Sequence, residues 1–339
     1  MDTRKKILLI ATGGTIASRC TEDGLSPAIS AAELLEYVPE ASKVCEIDTV
    51  QPFSMDSTNM GPANWLELAA LVEKSYDHYD GFVICHGTDT MAYTAAALSY
   101  LIQNNRRPVV VTGSQKPIDL AVTDARTNLL DSLRFACDER ACGVTIVFGG
   151  MVIAGTRAKK ERSKSYNAFS SINYPAIAAI QDDRIAFYID DKFRMTSPLR
   201  VYHELDTQVC LHKLIPGQSG EILDMIRPQT HAVIIESFGV GGIPNYGDRA
   251  YYHAIRRYVD EGRQVIMATQ VVHEGSDMSI YEVGKSMKTE LLLPESYDMT
   301  LEACVTKTMW ALAQTKDSEE FKKLFYTPIN HDILFAPEV

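Results

Sequence analysis

The sequence lacks the short motifs that mark several common enzyme and metal-binding classes. It contains no Cys-x-x-Cys pair, no Walker A string, no Gly-x-Ser-x-Gly elbow and no His-Glu-x-x-His pair. Its seven cysteines are scattered, so neither a disulfide framework nor a zinc site is expected. Gly239-Val240-Gly241-Gly242 lacks the spacing of a dinucleotide-binding fingerprint. The residues therefore predict neither a bound metal nor a cofactor.

Long apolar runs and excess positive charge are missing as well. After Arg4, Lys5 and Lys6 the first apolar run covers only residues 7–11, which is shorter than a signal peptide or a membrane span requires. With 33 basic and 44 acidic residues the formal net charge is −11, which disfavours binding to nucleic acid or to anionic lipid. We therefore expect a cytoplasmic protein with no nucleic-acid partner and no membrane partner.

Short apolar runs that end in glycine or polar residues alternate with helical patterns along the chain. This alternation predicts an α/β fold with a mostly parallel sheet flanked by helices. The strand-like runs are residues 7–11, 82–85, 109–112, 144–148, 232–236 and 265–269, and the helical patterns are residues 65–78, 89–104, 123–138, 251–259 and 301–313.

A polar stretch interrupts this alternation. Residues 181–207 interleave acidic and basic side chains with short apolar pieces, as a polar hairpin or a linker does. At 339 residues the chain is long enough for roughly two domains. We therefore place a larger N-terminal α/β domain at residues 1–190, a linker at 191–208 and a smaller C-terminal α/β domain at 209–339.

The most informative string is residues 11–18, Ala-Thr-Gly-Gly-Thr-Ile-Ala-Ser, which follows the first predicted strand. Ligands of open parallel sheets bind just beyond the carboxyl ends of the strands. Gly13 and Gly14 allow a tight turn and a close approach to a ligand, and Thr15 then presents a hydroxyl to the crevice. A glycine-rich packing turn without a function fits the same string.

A second string, His86-Gly87-Thr88-Asp89-Thr90, follows the predicted strand 82–85. The hydroxyl of Thr88 and the carboxylate of Asp89 would point into the same crevice as Thr15. Alternatively, Thr88 or Asp89 caps the helix that follows. For His86 the pattern favours a structural role over a catalytic one.

Two further polar stretches contain candidate residues. Lys160 lies in the basic stretch 154–164, which its composition alone favours as a solvated loop. Asp56 and Ser57 lie in residues 55–60, whose many donors and acceptors suit a small polar ligand but also fit an ordinary polar turn.

Taken together, these strings resemble the signatures of the bacterial-type L-asparaginases, in particular the cytosolic type I branch. Residues 11–18 match the first signature and residues 86–91 the second. The resemblance implies an amidohydrolase that converts L-asparagine to L-aspartate and ammonia through a threonine acyl-enzyme, with some activity on L-glutamine. It also implies a homodimer or homotetramer that uses no metal or cofactor.

The resemblance gives each candidate a catalytic role. Thr15 would be the nucleophile, and Thr88, Asp89 and Lys160 would form a group that faces it. Lys160 would act as a base only while uncharged, a form that burial favours and a nearby carboxylate disfavours. Backbone amides of the glycine turns would stabilise the tetrahedral oxyanion.

Substrate binding is implied for four residues. Asp56 and Asp89 would hold the α-ammonium of the substrate, and the Ser57 hydroxyl with nearby amides would hold the α-carboxylate. Together with Thr88 they would fix the side-chain amide against the nucleophile.

One position departs from the family pattern. Leu25 stands where many members carry a tyrosine, on the loop that follows the first signature. The chain is similar here to cytosolic members that use a tyrosine from the C-terminal domain of a neighbouring subunit. That similarity implies that Tyr281 acts in trans and that the monomer is inactive. A buried interface tyrosine is the alternative.

Three other functions remain open. An amidase subunit of a tRNA-dependent amidotransferase shares both signatures but has an extra N-terminal domain, for which a first strand at residue 7 leaves no room. A catalytically inactive amino-acid sensor fits Leu25, and ammonia release by the purified protein would separate it from an enzyme. A nucleotide-binding oxidoreductase is supported by sheet topology alone, which does not determine function.

Overall fold

The computed structural model describes residues 4–21, 24–190, 192, 196–245, 249–280 and 282–335. The chain divides into two compact units, residues 1–203 and 204–339. The strands are β1 (Lys6–Ala11), β2 (Ser18–Thr21), β3 (Gly24–Pro27), β4 (Glu46–Val50), β5 (Gly81–Cys85), β6 (Ile102–Gln103), β7 (Val109–Thr112), β8 (Val144–Phe148), β9 (Met151–Ala154), β10 (Ala158–Lys160), β11 (Phe169–Ser171), β12 (Ala178–Gln181), β13 (Arg184–Phe187), β14 (Arg200–Val201), β15 (Val209–Lys213), β16 (Ala232–Ser237) and β17 (Gln264–Thr269).

The helices alternate with these strands through most of the chain. Within the described residues, no helix has both the length and the apolar character that a membrane crossing requires. The α-helices are α1 (Ala31–Glu36), α2 (Ala41–Val44), α3 (Pro62–Ser75), α4 (Met91–Leu101), α5 (Ala125–Cys137), α6 (Glu221–Ile226), α7 (Ala250–Asp260), α8 (Glu282–Leu291), α9 (Leu301–Gln314) and α10 (Ser318–Tyr326).

An eight-stranded sheet forms the centre of the first unit, in the order β13-β12-β9-β8-β7-β5-β1-β4. Strands β4, β1, β5, β7 and β8 pair in parallel, and antiparallel pairings add β9, β12 and β13 at one side. Strands β5, β7 and β8 are buried at every position, which explains their continuous apolar sequences. The predicted α/β fold with a mostly parallel sheet is confirmed.

Helices pack against this sheet through apolar side chains. Leu129 and Leu133 of α5 belong to one buried cluster with Ile7 and Leu9 of β1. Helix α4, none of whose residues belongs to that cluster, also contacts β7 and β8. Burial of each leucine or isoleucine typically contributes about 1.5–3 kcal/mol, so this packing holds the strand ends in fixed positions.

The order of the strands reverses at β1. The chain crosses from β1 to β4 on one side and then returns to β5 on the other side of β1. Loops that leave the sheet on opposite sides of such a point open a crevice at the carboxyl edge, where ligands of α/β proteins bind. The residues that follow β1, β4 and β5 therefore lie at the expected ligand-binding edge.

The predicted strands agree closely with the observed ones. Each of the six strand-like runs forms a strand whose ends differ by at most one residue from those predicted. The polar stretch that begins at residue 181 starts within the β12–β13 hairpin, whose turn is Asp182-Asp183. Farther along, β14 pairs with β6. The linker at 191–208 and the two domain limits stay predictions.

The second unit has its own parallel sheet, in the order β15-β16-β17. Tyr251, Ile255 and Tyr258 of α7 share a buried cluster with Val233 and Val265 of the sheet. This unit is therefore a smaller α/β unit, as predicted.

Candidate active site

Two loops meet at the carboxyl ends of the paired strands β1 and β5. Gly14 lies so close to Gly87 that a β-carbon added to Gly14 would stand 2.3 Å from the Gly87 nitrogen. Only glycine fits at such a contact, and the φ of 75° at Gly14 also favours glycine. Thr15 and Thr88 follow these two glycines directly, so the structure brings both predicted loops to one place.

The loop that follows β4 joins them. The Gly14 N–H donates to the Met55 carbonyl at 3.0 Å. A β-carbon added to Gly87 would stand 2.6 Å from the Ser57 side chain. The Thr90 hydroxyl donates to the Ser57 carbonyl at 2.7 Å. Three loops that are far apart in sequence therefore meet at one place, and Ser57 is buried where they meet.

Asp56 organises its own loop. Its Oδ1 atom accepts hydrogen bonds from the Thr58 backbone N–H and the Thr58 hydroxyl, both at 2.8 Å. The Asp56 side chain is exposed whereas Ser57 is buried. The loop is thus held by one carboxylate oxygen of Asp56, which leaves the other oxygen available to a ligand.

Lys160 reaches both polar residues of the second loop. Its Nζ atom donates to Thr88 Oγ1 at 2.7 Å and to Asp89 Oδ1 at 2.6 Å. Lys160 ends β10 and pairs with Phe169 of β11, and its side chain is only 17% exposed. The solvated-loop interpretation is therefore wrong for Lys160, because packing of the β10–β11 ribbon turns this side chain toward the loop.

The capping alternative for Thr88 and Asp89 is also wrong. The N-cap of α4 is Thr90, whose own side chain makes no capping hydrogen bond. The side chains of Thr88 and Asp89 contact Lys160 instead. Their polar atoms therefore bind Lys160 and do not cap the helix.

Several backbone donors stay open at this edge. Within the described parts of the chain, the backbone N–H groups of Thr15, Thr88 and Asp89 donate to no protein acceptor. Of these three residues Thr88 is buried, and a buried N–H group that has no partner in the protein is normally satisfied by water or by a ligand. The crevice therefore offers donors suited to a carboxylate or to a developing oxyanion.

A chain of hydrogen bonds lies beneath the second loop. His86 Nδ1 is 2.6 Å from the Gly87 carbonyl oxygen, which can only accept, so Nδ1 carries the proton. Its Nε2 atom then accepts from the Thr94 hydroxyl at 2.9 Å, and the Thr94 oxygen accepts from Trp65 Nε1 at 2.9 Å. Complete burial lowers the pKa of His86 to about 4, so its ring is uncharged at neutral pH.

Sequence reasoning missed Trp65 and Thr94 as partners of this histidine. The one available signal was a threonine inside a mostly apolar, alanine-rich helix, because a buried hydroxyl requires a hydrogen-bond partner. The structural interpretation of His86 agrees with this network.

The buried His86 predicts a loss of stability in acid. The unfolded chain takes up a proton at this histidine below about pH 6.5, whereas the folded protein does so only near pH 4. Above pH 6.5 protonation of His86 does not change the free energy of unfolding. As the pH falls from 6.5 to 4, protonation of this histidine in the unfolded chain lowers the free energy of unfolding by about 3 kcal/mol in total.

Urea unfolding of the wild type and His86→Asn across this range measures that loss. We expect the difference between the two proteins to narrow as the pH falls. The comparison is needed because Asp131 acts in the opposite direction, since burial raises its pKa to about 6. A difference that does not change with pH would contradict the prediction.

The contact between Gly87 and Ser57 predicts that Gly87→Ala destabilises the protein. The added β-carbon would overlap the Ser57 side chain, and overpacking of this kind typically costs about 1–3 kcal/mol. Gly61→Ala is the matched control, because nothing lies within 4 Å of its added β-carbon and its φ is −142°. Equal melting temperatures for the two variants would be inconsistent with the close packing of the loops.

A cavity of about 1080 Å³ lies elsewhere in the first unit, beside α5. Tyr37, Asp131 and Asp182 are among the residues that line it, and none of the candidate residues does. The candidate site is therefore defined by contacts between loops and not by this cavity.

Tyr281 lies outside the described residues. The backbone of Leu25 pairs with Cys20 in the β2–β3 hairpin.

In the part of the chain that the structure describes, no three His, Cys, Asp or Glu side chains are grouped so that they could hold a metal ion.

Comparison with known proteins links both units to a single family. Residues 6–192 match the model described as "Asparaginase, N-terminal", and residues 208–325 match the "Glutaminase/Asparaginase C-terminal domain". The L-asparaginase of Thermococcus kodakarensis is 39% identical over 97% of this chain and 99% of its own length. A glutamyl-tRNA(Gln) amidotransferase subunit of Pyrococcus furiosus is 34% identical over 95% of this chain and 75% of its own length.

Solved structures give the same result. The thermostable L-asparaginase from Thermococcus kodakarensis superposes with a TM-score of 0.90 at 38% identity, over 97% of this chain and 99% of that one. L-asparaginase I from Vibrio cholerae has a TM-score of 0.87 at 30% identity, over 98% of this chain and 100% of that one.

Proposed function

Because the chain belongs to the asparaginase family, we propose that it hydrolyses the side-chain amide of L-asparagine to L-aspartate and ammonia. The main support for this proposal is the position of Lys160. Its Nζ atom donates to Thr88 Oγ1 at 2.7 Å, and the loop that contains Thr88 packs against the loop that contains Thr15. A hydroxyl, a second hydroxyl and an amine at one crevice are the parts that amide hydrolysis by covalent catalysis requires.

The first step forms an ester on Thr15. The Thr15 oxygen attacks the amide carbon while its proton passes to Lys160 in its uncharged form, through Thr88 or a water molecule. The tetrahedral intermediate collapses when the carbon–nitrogen bond breaks, and the nitrogen leaves as ammonia with the proton held by Lys160. The aspartyl group is then bound to Thr15 Oγ1.

The second step releases aspartate. A water molecule gives a proton to Lys160 and attacks the ester carbon, and the carbon–oxygen bond to Thr15 breaks. Thr15 regains its proton, so the enzyme returns to its starting state. The open backbone N–H groups of Thr15 and Thr88 are suited to stabilise the oxyanion in both steps, and such donors are typically worth about 3–4 kcal/mol each.

The amino-acid part of the substrate is bound by charge. We assign the α-ammonium to the carboxylates of Asp89 and Asp56, and the α-carboxylate to the Ser57 hydroxyl and nearby amides. Charge-assisted hydrogen bonds are stronger than neutral ones. They hold the amide carbon near the Thr15 hydroxyl and so reduce the entropic part of the barrier.

An ammonia assay on the purified protein tests the proposal. We expect equal amounts of ammonia and L-aspartate from L-asparagine, and slower release from L-glutamine. One methylene group typically changes specificity by about 10- to 200-fold. Absence of ammonia from both amino acids would contradict the proposal and would favour an amino-acid sensor.

An amidotransferase subunit is the second candidate, because a relative named as such is 34% identical to this chain. Activity on free L-asparagine in the absence of any second protein distinguishes the two functions. An amidase that requires a partner would release little ammonia alone.

Three further proposals concern assembly, location and the missing tyrosine. We place the enzyme in the cytoplasm, as a homodimer or homotetramer, with Tyr281 of one subunit completing the active site of its neighbour.

Tyr281→Phe is then expected to lower turnover strongly while leaving the melting temperature unchanged. Near-normal turnover would remove Tyr281 from the mechanism.

A further inference from the structure

The residues beneath the second loop point to a role for a histidine that the proposed mechanism does not use. We propose that His86 is a positioning residue, which holds the Gly87–Thr88 peptide group so that the Thr88 N–H faces the reacting carbonyl oxygen of the substrate. The inference rests on the proposed amide hydrolysis and adds to it one buried residue that never contacts the substrate.

The planarity of the peptide bond gives the first reason. In a trans peptide group the C=O and the following N–H point in opposite directions. The Gly87 carbonyl points toward the buried His86 ring, from which it accepts a hydrogen bond at 2.6 Å. The Thr88 N–H therefore points away from the ring, and it donates to no acceptor among the described residues.

The backbone that leads into this peptide group, from His86 to the Gly87 α-carbon, is held by close contacts with two other glycines. A β-carbon added to Gly113 would stand 2.2 Å from the His86 carbonyl oxygen, and one added to Gly14 would stand 2.4 Å from the Gly87 α-carbon. These contacts fix where the backbone lies. The rotation of the Gly87–Thr88 peptide plane is fixed by the hydrogen bond from His86.

The ring of His86 is held in turn by two other side chains. The indole N–H of Trp65 can only donate, so the Thr94 hydroxyl accepts from it and donates its own proton to His86 Nε2. This arrangement admits one neutral tautomer, with the proton on Nδ1. Since His86 and Thr94 are 0% exposed, water does not compete for these hydrogen bonds.

Replacement of His86 by leucine or asparagine separates positioning from simple packing. Both changes remove the hydrogen bond to Thr94, and both leave a side chain of moderate size. Only asparagine keeps an N–H at the position of Nδ1, from which it can donate to the Gly87 carbonyl. Loss of a well-placed oxyanion donor typically lowers kcat by about 10²- to 10³-fold.

We expect His86→Leu to lower kcat for L-asparagine by about 100-fold with little change in KM. His86→Asn is expected to restore most of that kcat although its melting temperature is lowered as much as that of His86→Leu. The pH profile of kcat should keep its shape in His86→Asn, because His86 transfers no proton in this role.

The results that would contradict the role of His86 differ from those that would contradict the proposed function. If the wild type releases no ammonia, the proposed function is wrong. If the wild type is active and kcat of His86→Leu equals that of the wild type, only the proposed role of His86 is wrong. The same holds if His86→Asn and His86→Leu lose kcat in proportion to the decrease in their melting temperatures. A displaced acid limb in His86→Asn would assign proton transfer to His86 instead.

A third variant covers the case in which His86→Leu does not fold. Thr94→Val keeps His86 but removes the hydroxyl that fixes its tautomer. We expect a smaller loss of kcat than for His86→Leu, again with KM little changed, and wild-type kcat in Thr94→Val would overturn the proposal.

Discussion

Thr15→Ala is expected to lower kcat for L-asparagine by at least about 10⁴-fold, because removal of a catalytic nucleophile leaves only binding and oxyanion stabilisation. Thr15 begins a short 3₁₀ turn (Thr15–Ala17) in which no side chain forms a cap, so the change removes a hydroxyl without removing a structural hydrogen bond. The measurement is ammonia release, with circular dichroism as the check on folding.

Thr15→Ser is the matched control for this prediction. It keeps the hydroxyl and loses only a methyl group, so it should retain measurable turnover. Equal activity of the wild type and Thr15→Ala would show that another group attacks the amide.

Lys160→Met is expected to lower kcat by about 10³-fold, since general base catalysis typically contributes about 10²- to 10⁴-fold. Methionine has a similar length but provides neither a base nor the contacts at 2.7 Å to Thr88 and 2.6 Å to Asp89. Because Asp89 would then lose its hydrogen bond to Lys160, its carboxylate stays available to the α-ammonium, and KM should not rise. Kinetics with L-asparagine measure kcat and KM separately.

The neighbouring lysine provides the control. Side chains alternate between the two faces of a strand, so Lys159 and Lys160 of β10 point in opposite directions. Lys159→Met changes the net charge by the same amount and is expected to leave kcat near that of the wild type. Equal losses of kcat in Lys159→Met and Lys160→Met would indicate that the net charge of the β10–β11 ribbon matters and that Lys160 is not the general base.

Six strands of this fold could be predicted from sequence because parallel strands are buried on both faces. Their apolar runs are continuous and end abruptly at glycine or polar residues, so residues 144–148 were predicted without error at either end. The helix predicted over residues 89–104 begins at Met91. Of the two residues before it, Asp89 contacts Lys160 and the Thr90 hydroxyl donates to the Ser57 carbonyl.

Other parts of the site could not be predicted from local sequence. Lys160 lies 72 positions from Thr88, and its neighbours are as polar as those of any solvated loop. Trp65 lies 29 positions from Thr94, and only the packing of α3 against α4 brings them together. Such contacts depend on tertiary structure, which local composition does not encode.

The most direct test of the account is a crystal structure of the Lys160→Met protein with L-asparagine. We expect the ligand among the loops that follow β1, β4 and β5, with its amide carbon about 3–3.5 Å from the Thr15 hydroxyl and its α-carboxylate at Ser57. L-Asparagine bound elsewhere, or with its amide directed away from Thr15, would contradict it.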